Sequence, residues 1–377
     1  MTSPRALLAL AVAPWLACGG AAPPPAACPT APEVTTATGA ATTVPATTPV
    51  VTAVEPTAPA PAARWGGTLL FDDSDRIRAL DLATREPAPL SVAARLVEGL
   101  RTVGGGAATW VQWKDAGLRP HALRFHREEG ELRTLIVEPE VDDVAPDGSL
   151  AIVTCPKKAG TTCVVTIGPD GPGEPTPIKW PKGAGRVHGW TTGGKVLVMT
   201  SSSLRSINLV EFEPIAGTQT ARGTLPKDAQ GFFDRDGRYV AWFEGGRGTP
   251  LALAFREVTG KDGDIRRLDL GVAHDARCEP TPANDAWACV VFPGVAEPGT
   301  LLIATLGDLS TRVVATDVEK VFGPLAFAPT GDAVAISQAR GDKSVLRVVP
   351  LAGGEAVTVW QDEDHFISRP RPLGWLR

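Results

Sequence analysis

The sequence predicts an all-β protein: a single β-propeller, most simply one with seven blades of four antiparallel strands. Three observations support this prediction. A segment that couples a tight turn to a strand recurs along the chain, and the apolar runs are short and rich in β-branched residues. In addition, the two ends of the domain are incomplete in complementary ways.

The recurring segment contains a polar turn followed by an apolar strand. One residue of each turn marks the repeat, and successive markers lie 43 to 47 residues apart. That period is typical of propeller blades, and glycine or asparagine tolerates the positive φ of a tight hairpin turn. The segments are VAPDGSLAIV, WTTGGKVLVM, FDRDGRYVAW, PTPANDAWACVV and FAPTGDAVAIS, with the markers Gly148, Gly194, Gly237, Asn284 and Gly331.

The apolar runs between the turns have the length and composition of strands. Examples are CVVTI, KVLVMT, LLIATL and SVLRVVPL, and the 40 glycines and 35 prolines mostly stand between such runs. Several runs are apolar throughout rather than alternating with polar residues. This pattern indicates strands that are covered on both faces, as blades are by their neighbours.

The ends of the domain predict how the ring closes. Six inner strands are expected to begin near residues 98, 141, 187, 229, 275 and 322. Residues 366 to 377 resemble a seventh inner strand, and residues 67 to 92 supply three strands without an inner one. Pairing the two pieces makes a seventh blade and removes the open sheet edges. Six or eight blades stay open as alternatives, because residues 98 to 140 are the least regular.

The N-terminal residues predict export. Arg5 precedes a short apolar run, Ala6 to Ala17, so residues 1 to 18 are interpreted as a signal peptide. Its end, Leu16-Ala17-Cys18-Gly19-Gly20, resembles a bacterial lipobox, which implies that Cys18 carries lipid; secretion without lipid is the alternative. Residues 19 to 63 are rich in Ala, Pro and Thr and predict an extended tether. Residues 64 to 377 are the propeller.

The cysteines of the body predict two disulfides. Cys155 and Cys163 bracket one turn, and Cys278 and Cys289 bracket another, so each pair can meet across a hairpin. An oxidising compartment favours both bonds, and a structural role is expected for each. Cys28, in the tether, is left without a partner.

The turn segments carry a resemblance to a known family. APDGSLAIV, DRDGRYVAW and APTGDAVAIS are similar to the repeat of TolB-type propellers, over most of residues 141 to 340. The resemblance implies a propeller fold. TolB itself has an α/β domain before its propeller, and here the tether occupies that position, so no partner specific to TolB is implied.

The body contains no common catalytic signature. G-x-S-x-G, H-E-x-x-H, C-x-x-C and phosphate-binding glycine loops are all missing from the sequence, so no catalytic residue, cofactor or metal is expected. Asp234-Arg235-Asp236-Gly237 begins like a calcium loop, but the later acidic ligands are missing, and a hairpin turn is the better interpretation.

One set of residues is a candidate binding site. His188, His274 and His365 each precede an expected inner strand, and Asp275 and Asp364 lie beside two of them. Loops that enter inner strands converge on one mouth of the central channel, where these residues could bind a small ligand, a peptide end or a metal. Alternatively, these are solvated loop residues on separate blades that share no site, and the irregular spacing of the three histidines favours this alternative.

These observations lead to a functional hypothesis. We expect a monomeric, exported and lipid-anchored propeller of the bacterial envelope, facing the periplasm or the cell surface. It would act as a non-catalytic binding or scaffolding module for a protein or an envelope polymer. The formal net charge of −5, without a long basic block, argues against nucleic acid. Alternatives are a propeller-type polysaccharide lyase or hydrolase, and an accessory lipoprotein in outer-membrane protein assembly.

Overall fold

The computed structural model describes most of the body of the chain. The described segments are 65–73, 76–93, 95–103, 105–114, 120–137, 141–155, 161–168, 171–184, 187–201, 206–226, 231–259, 264–319, 321–340, 343–361 and 370–377. All of them belong to one compact unit, Pro56–Arg377. These segments contain strands and turns, and none of them supplies an apolar helix of membrane-spanning length. The expected signal peptide, Cys18, Cys28 and the tether lie outside the described residues.

The first part of the propeller consists of twelve strands. In chain order they are β1 (Thr68–Asp72), β2 (Arg76–Asp81), β3 (Pro87–Ala93), β4 (Arg95–Val103), β5 (Ala108–Lys114), β6 (Pro120–Glu128), β7 (Glu131–Val137), β8 (Val141–Val144), β9 (Leu150–Thr154), β10 (Thr162–Gly168), β11 (Gly171–Pro172) and β12 (Thr176–Pro177). Strands β4 to β7 form blade 2, and β8 to β12 form blade 3, in which the short strands β11 and β12 both pair with β10.

The remaining strands complete the ring. They are β13 (Gly189–Trp190), β14 (Val196–Ser201), β15 (Ser206–Phe212), β16 (Gln219–Pro226), β17 (Phe232–Phe233), β18 (Tyr239–Gly245), β19 (Thr249–Glu257), β20 (Arg266–Ala273), β21 (Asp275–Pro280), β22 (Ala286–Phe292), β23 (Gly299–Thr305), β24 (Thr311–Val318), β25 (Val321–Phe327), β26 (Ala333–Arg340), β27 (Lys343–Pro350), β28 (Val357–Gln361) and β29 (Arg371–Leu376). Blades 4 to 7 begin at β13, β17, β21 and β25, and each has four antiparallel strands.

Blade 1 joins the two ends of the domain. Its strand order is β29-β1-β2-β3, with Leu69 of β1 opposite Trp375 of β29 in an antiparallel pair. The predicted seven-bladed ring, closed by N- and C-terminal strands, is confirmed. An ion pair from Arg371 to Asp72 links the same two strands, with 2.5 Å between Nη2 and Oδ2.

The hydrophobic core lies between the blades rather than within any one of them. The described residues form seven buried clusters, and each cluster combines residues from two neighbouring blades. Five of the largest fully buried side chains are the tryptophans Trp110, Trp190, Trp242, Trp287 and Trp375. Because every blade is covered on both faces, a middle strand such as β22 is apolar throughout, as the sequence indicated for several runs.

Both predicted disulfides are present. Cys155 and Cys163 have a Cα–Cα distance of 5.1 Å, and Cys278 and Cys289 one of 4.0 Å. Cys278 and Cys289 lie directly opposite each other on β21 and β22. Disulfides persist in oxidising compartments, so both bonds agree with an exported protein.

Candidate functional site

The central channel contains a cavity of about 790 Å³. The size is suitable for a small ligand, since ligand pockets range from about 300 to about 1,000 Å³. It is bounded mainly by inner strands and by the turns that follow them. The lining residues are Thr102, Gly105, Pro146, Phe233, Asp234, Arg235, Asp236, Arg277, Glu279, Pro280, Pro282, Gly323, Pro324, Leu325, Ala326, Phe327, Arg371, Pro372, Leu373 and Gly374.

Arg277 and Glu279 lie on the channel side of β21. They are two residues apart, so the alternation of a strand directs both to the same face, while Cys278 between them faces away and bonds to β22. Arg277 Nε is 3.8 Å from Glu279 Oε1. One third of the Glu279 side chain, 33%, is accessible. Glu279 is therefore a carboxyl group that a ligand in the channel can reach.

The surroundings of Glu279 favour its protonated form. Burial raises the pKa of Glu279, and the positive charges of Arg277 and Arg235 offset only part of that effect. A carboxyl group whose surroundings raise its pKa is a candidate general acid or base. The channel therefore contains a candidate proton-transfer group with two cationic neighbours.

Asp234 is the most deeply buried acid of the cavity wall. It occupies the turn between β17 and β18, is only 3% exposed, and its Oδ1 accepts a hydrogen bond of 2.9 Å from the Tyr239 amide. Its other oxygen, Oδ2, has no hydrogen-bond partner among the described residues. Burial raises the pKa of Asp234 from 3.8 to about 6, although the hydrogen bond from Tyr239 acts in the opposite direction.

Two arginines of the wall differ in their role. Arg371 is bound to Asp72, so its charge is used in closing the ring. Arg235 follows Asp234 in the blade 5 turn, and its Cζ lies 5.7 Å from the ring centroid of Phe327 on blade 7. Arg235 and Arg277 are thus two cations of the channel wall, one near the Phe327 ring and the other near the Glu279 carboxyl group.

The described residues of the predicted channel-mouth site lie at the starts of two different blades, 4 and 6. His188 is half-buried, and its Nδ1 accepts a hydrogen bond of 3.2 Å from the Met199 amide in the same blade. His274 and Asp275 are exposed where β21 begins. None of these three residues is part of the cavity lining given above. Asp364 and His365 lie outside the described residues, so the channel-mouth site stays a prediction.

No metal centre is formed by the residues that the structure describes. Within them, no three His, Cys, Asp or Glu side chains are grouped closely enough to hold an ion. The Asp234–Gly237 segment is the hairpin turn that the sequence indicated, since the Gly237 amide donates to the Asp234 carbonyl oxygen at 3.2 Å.

The charges of the channel were not predicted from the sequence. Asp234, Arg235 and Asp236 were assigned only to a turn, and Arg277 and Glu279 were not singled out. One signal was available: two charged residues flank Cys278 on an expected inner strand, where strand alternation directs both to the channel face.

Comparisons with known proteins show the fold. No protein-family model matches the chain, and no curated protein matches it. Among solved structures, a candidate 6-phosphogluconolactonase from Bacteroides fragilis has a TM-score of 0.50 at 12% identity, covering 84% of this chain and 99% of that one. The periplasmic gluconolactonase of Pseudomonas aeruginosa has a TM-score of 0.51 at 14% identity, with coverages of 82% and 99%. An oligogalacturonate lyase in complex with manganese has a TM-score of 0.51 at 12% identity, with coverages of 79% and 87%.

These likenesses correct the functional hypothesis. We expected a non-catalytic binding or scaffolding module, partly because the body contains no common catalytic signature. The matched gluconolactonase chains are covered over 99% of their length, so propellers without a second domain are named as enzymes. The absence of a contiguous catalytic motif was therefore a poor criterion, since a channel site is assembled from separate blades. The names of these neighbours favour the alternative of a propeller lyase or hydrolase over the binding module. The TolB-type repeat and the role in outer-membrane assembly stay predictions.

Proposed function

We propose that the protein is an exported propeller enzyme that hydrolyses the lactone of a sugar acid in its central channel. The observation that carries this proposal is the position of Glu279 in the channel wall. Glu279 is an accessible carboxyl group with a raised pKa, it lies beside Arg277, and the positive charge of Arg235 acts on it. The names of two similar propellers, both gluconolactonases, support the choice of substrate.

The proposed reaction needs one proton-transfer group and one site for negative charge. Glu279, as carboxylate, takes a proton from a water molecule whose oxygen adds to the lactone carbonyl carbon. Arg277, beside Glu279, stabilises the negative charge that develops on the carbonyl oxygen. Arg235 contacts the substrate equally in the ground state and in the transition state. The ring C–O bond then breaks, and Glu279 returns the proton to the departing oxygen, so that water and lactone give the open-chain acid.

The first test is an activity panel on the full mature chain. The substrates are glucono-lactone and 6-phosphogluconolactone, followed by acid release, and oligogalacturonate, followed by ultraviolet absorption of an unsaturated product. We expect lactone hydrolysis, with kcat reduced about 100-fold or more in Glu279→Gln, because general acid–base catalysis contributes about 10² to 10⁴. Glu297→Gln, an exposed site in the same blade, is the matched control and should keep wild-type activity.

Two results would change the proposal. Turnover of oligogalacturonate alone would assign the same Glu279 to proton abstraction in an elimination, which is the reaction class of the similar lyase. Wild-type rates in Glu279→Gln, or no turnover of any of the three substrates, would show that the proposed lactonase is wrong.

We further propose that export ends in a lipid anchor at Cys18 and that the turn repeat is of the TolB type. The support is the lipobox-like Leu16-Ala17-Cys18-Gly19-Gly20 and the turn segments quoted above. Intact mass of the mature N-terminus tests the anchor. A diacylated Cys18 that is absent from Cys18→Ala supports it, and an unlipidated N-terminus identifies a secreted protein.

A further inference from the structure

Blade 6 departs from the other repeats at one position. Its turn has Asn284 where the matching turns have glycine, and all five markers adopt positive φ, 55° for Asn284 and 63° to 75° for the glycines. Glycine takes this conformation without a steric penalty, whereas other residues do so at some cost. Asparagine tolerates this conformation too, so the turn alone does not explain why this blade has asparagine and the others glycine, and the contacts of the side chain must be considered.

The Asn284 side chain crosses to the neighbouring blade. Its Oδ1 accepts a hydrogen bond of 3.2 Å from the Arg235 amide, and its Nδ2 donates to Asp236 Oδ2 at 2.5 Å. Both ends of the amide are used, and the two partners fix its orientation, since only the oxygen accepts and only the nitrogen donates. A glycine could make neither contact.

The residues held by Asn284 belong to the channel wall. Arg235 and Asp236 line the cavity, and the Arg235 charge acts on Glu279. The same turn is held from its other side by blade 4, whose Thr192 amide donates to the Asp236 carbonyl oxygen at 3.1 Å. The blade 5 turn is thus held from both neighbouring blades, and Asn284 contributes two side-chain hydrogen bonds to it.

We propose that Asn284 is a positioning residue, which holds Arg235 and Asp236 against the channel from the adjacent blade. This inference rests on the proposed lactonase, in which Arg235 contacts the substrate. Asn284 itself does not line the cavity and acts through the two residues that it binds.

The test compares variants of the full mature chain. Asn284→Gly retains the positive φ and has the residue of the other repeats, so the ring should fold. We expect KM to rise about tenfold, which corresponds to the loss of one charge-assisted contact. The value of kcat should change less than about twofold, because Glu279 and its nearer cation Arg277 keep their positions. Gly331→Asn, which adds an asparagine at the matching turn of blade 7, is the control and should leave both constants unchanged.

A second readout does not depend on catalysis. The Arg235 amide should exchange its hydrogen about tenfold faster in Asn284→Gly than in wild type, measured by NMR, because its acceptor is gone. Asn284→Asp keeps an acceptor for that amide but places a carboxylate against Asp236. It should therefore retain slow exchange of the Arg235 amide and still show a raised KM.

The outcomes separate this inference from the proposed function. Wild-type KM and wild-type Arg235 exchange in Asn284→Gly would overturn the positioning role. If Asn284→Gly does not fold, Asn284→Asp decides: slow exchange with raised KM supports the role, and wild-type KM overturns it. If the wild type hydrolyses none of the lactones, the proposed function is wrong, but the positioning of the turn can still be tested. Faster exchange of the Arg235 amide in Asn284→Gly would then support the positioning role, and unchanged exchange would overturn it.

Discussion

Asp234 makes the stability of the propeller depend on pH. Its carboxyl group is 3% exposed, and burial raises its pKa from 3.8 to about 6. The folded protein therefore binds this proton more tightly than the unfolded chain does. The resulting stabilisation is complete below about pH 4 and is lost as the pH rises through about 6. At about 1.4 kcal/mol per pH unit, the interval corresponds to about 3 kcal/mol.

The perturbation is Asp234→Asn, which cannot ionise. Asparagine keeps an oxygen for the Tyr239 amide, so the turn should form. We expect the free energy of unfolding of the wild type to fall by about 3 kcal/mol relative to the variant between pH 4 and pH 7. Urea unfolding of both proteins at a series of pH values measures this difference. A pH-independent effect of the substitution on the free energy of unfolding would shift the whole curve and would not change its slope with pH.

The pH interval is a second check on the cause. The curves of wild type and Asp234→Asn should converge or diverge between about pH 4 and about pH 6 and run parallel above it. Parallel curves for wild type and Asp234→Asn within that interval would refute the reasoning, because they would show that ionisation of Asp234 is as easy in the folded protein as in the unfolded chain.

Three further predictions concern the ring itself. Replacing Cys278 and Cys289 together by Ser should lower the free energy of unfolding by about 2 to 3 kcal/mol, the loop-closure value for a short loop, and an unchanged urea midpoint would contradict it. Trp375→Ala should cost about 3 to 5 kcal/mol, since this fully buried ring packs in the closing blade; a thermal melt within two degrees of wild type would count against the closure. Gly237→Ala should destabilise more than Gly217→Ala in the same melt, because both have positive φ but only at Gly237 does the added Cβ meet a backbone carbonyl oxygen, at 2.0 Å.

The fold was predictable because its determinants are local. A tight turn needs glycine or asparagine at a fixed place, and an interblade strand needs a short apolar run, so each blade is visible in a short stretch of sequence. Blade 2 was the least regular for a physical reason. Its inner strand β4 pairs with β5 through two register shifts, which interrupt the alternation on which the prediction depends.

The channel site was not predictable in the same way. Asp234, Arg235 and Glu279 become neighbours only when blades 5 and 6 are placed around one axis, and no spacing in the sequence expresses that. The predicted site was centred instead on residues such as His188 and His274, which precede the inner strands. The cavity is lined mainly from the other ends of those strands, where the turns begin.

Asp234 shows why architecture and chemistry are difficult to separate in this chain. Its Oδ1 binds the Tyr239 amide and so completes the hairpin, which is a role that the repeat alone suggests. Its Oδ2 is left without a described partner in the wall of the cavity, which costs stability and which the repeat does not explain. Glu279 has a related position: it is adjacent to Cys278, whose disulfide fixes the rotation of β21 and so holds the carboxyl group toward the channel. Residues that sequence analysis assigned to turns and disulfides thus also determine where the acidic groups of the channel lie. Loss of the Asp234–Tyr239 hydrogen bond or of the Cys278–Cys289 disulfide should therefore alter the protonation of the channel carboxyl groups while the ring is still folded.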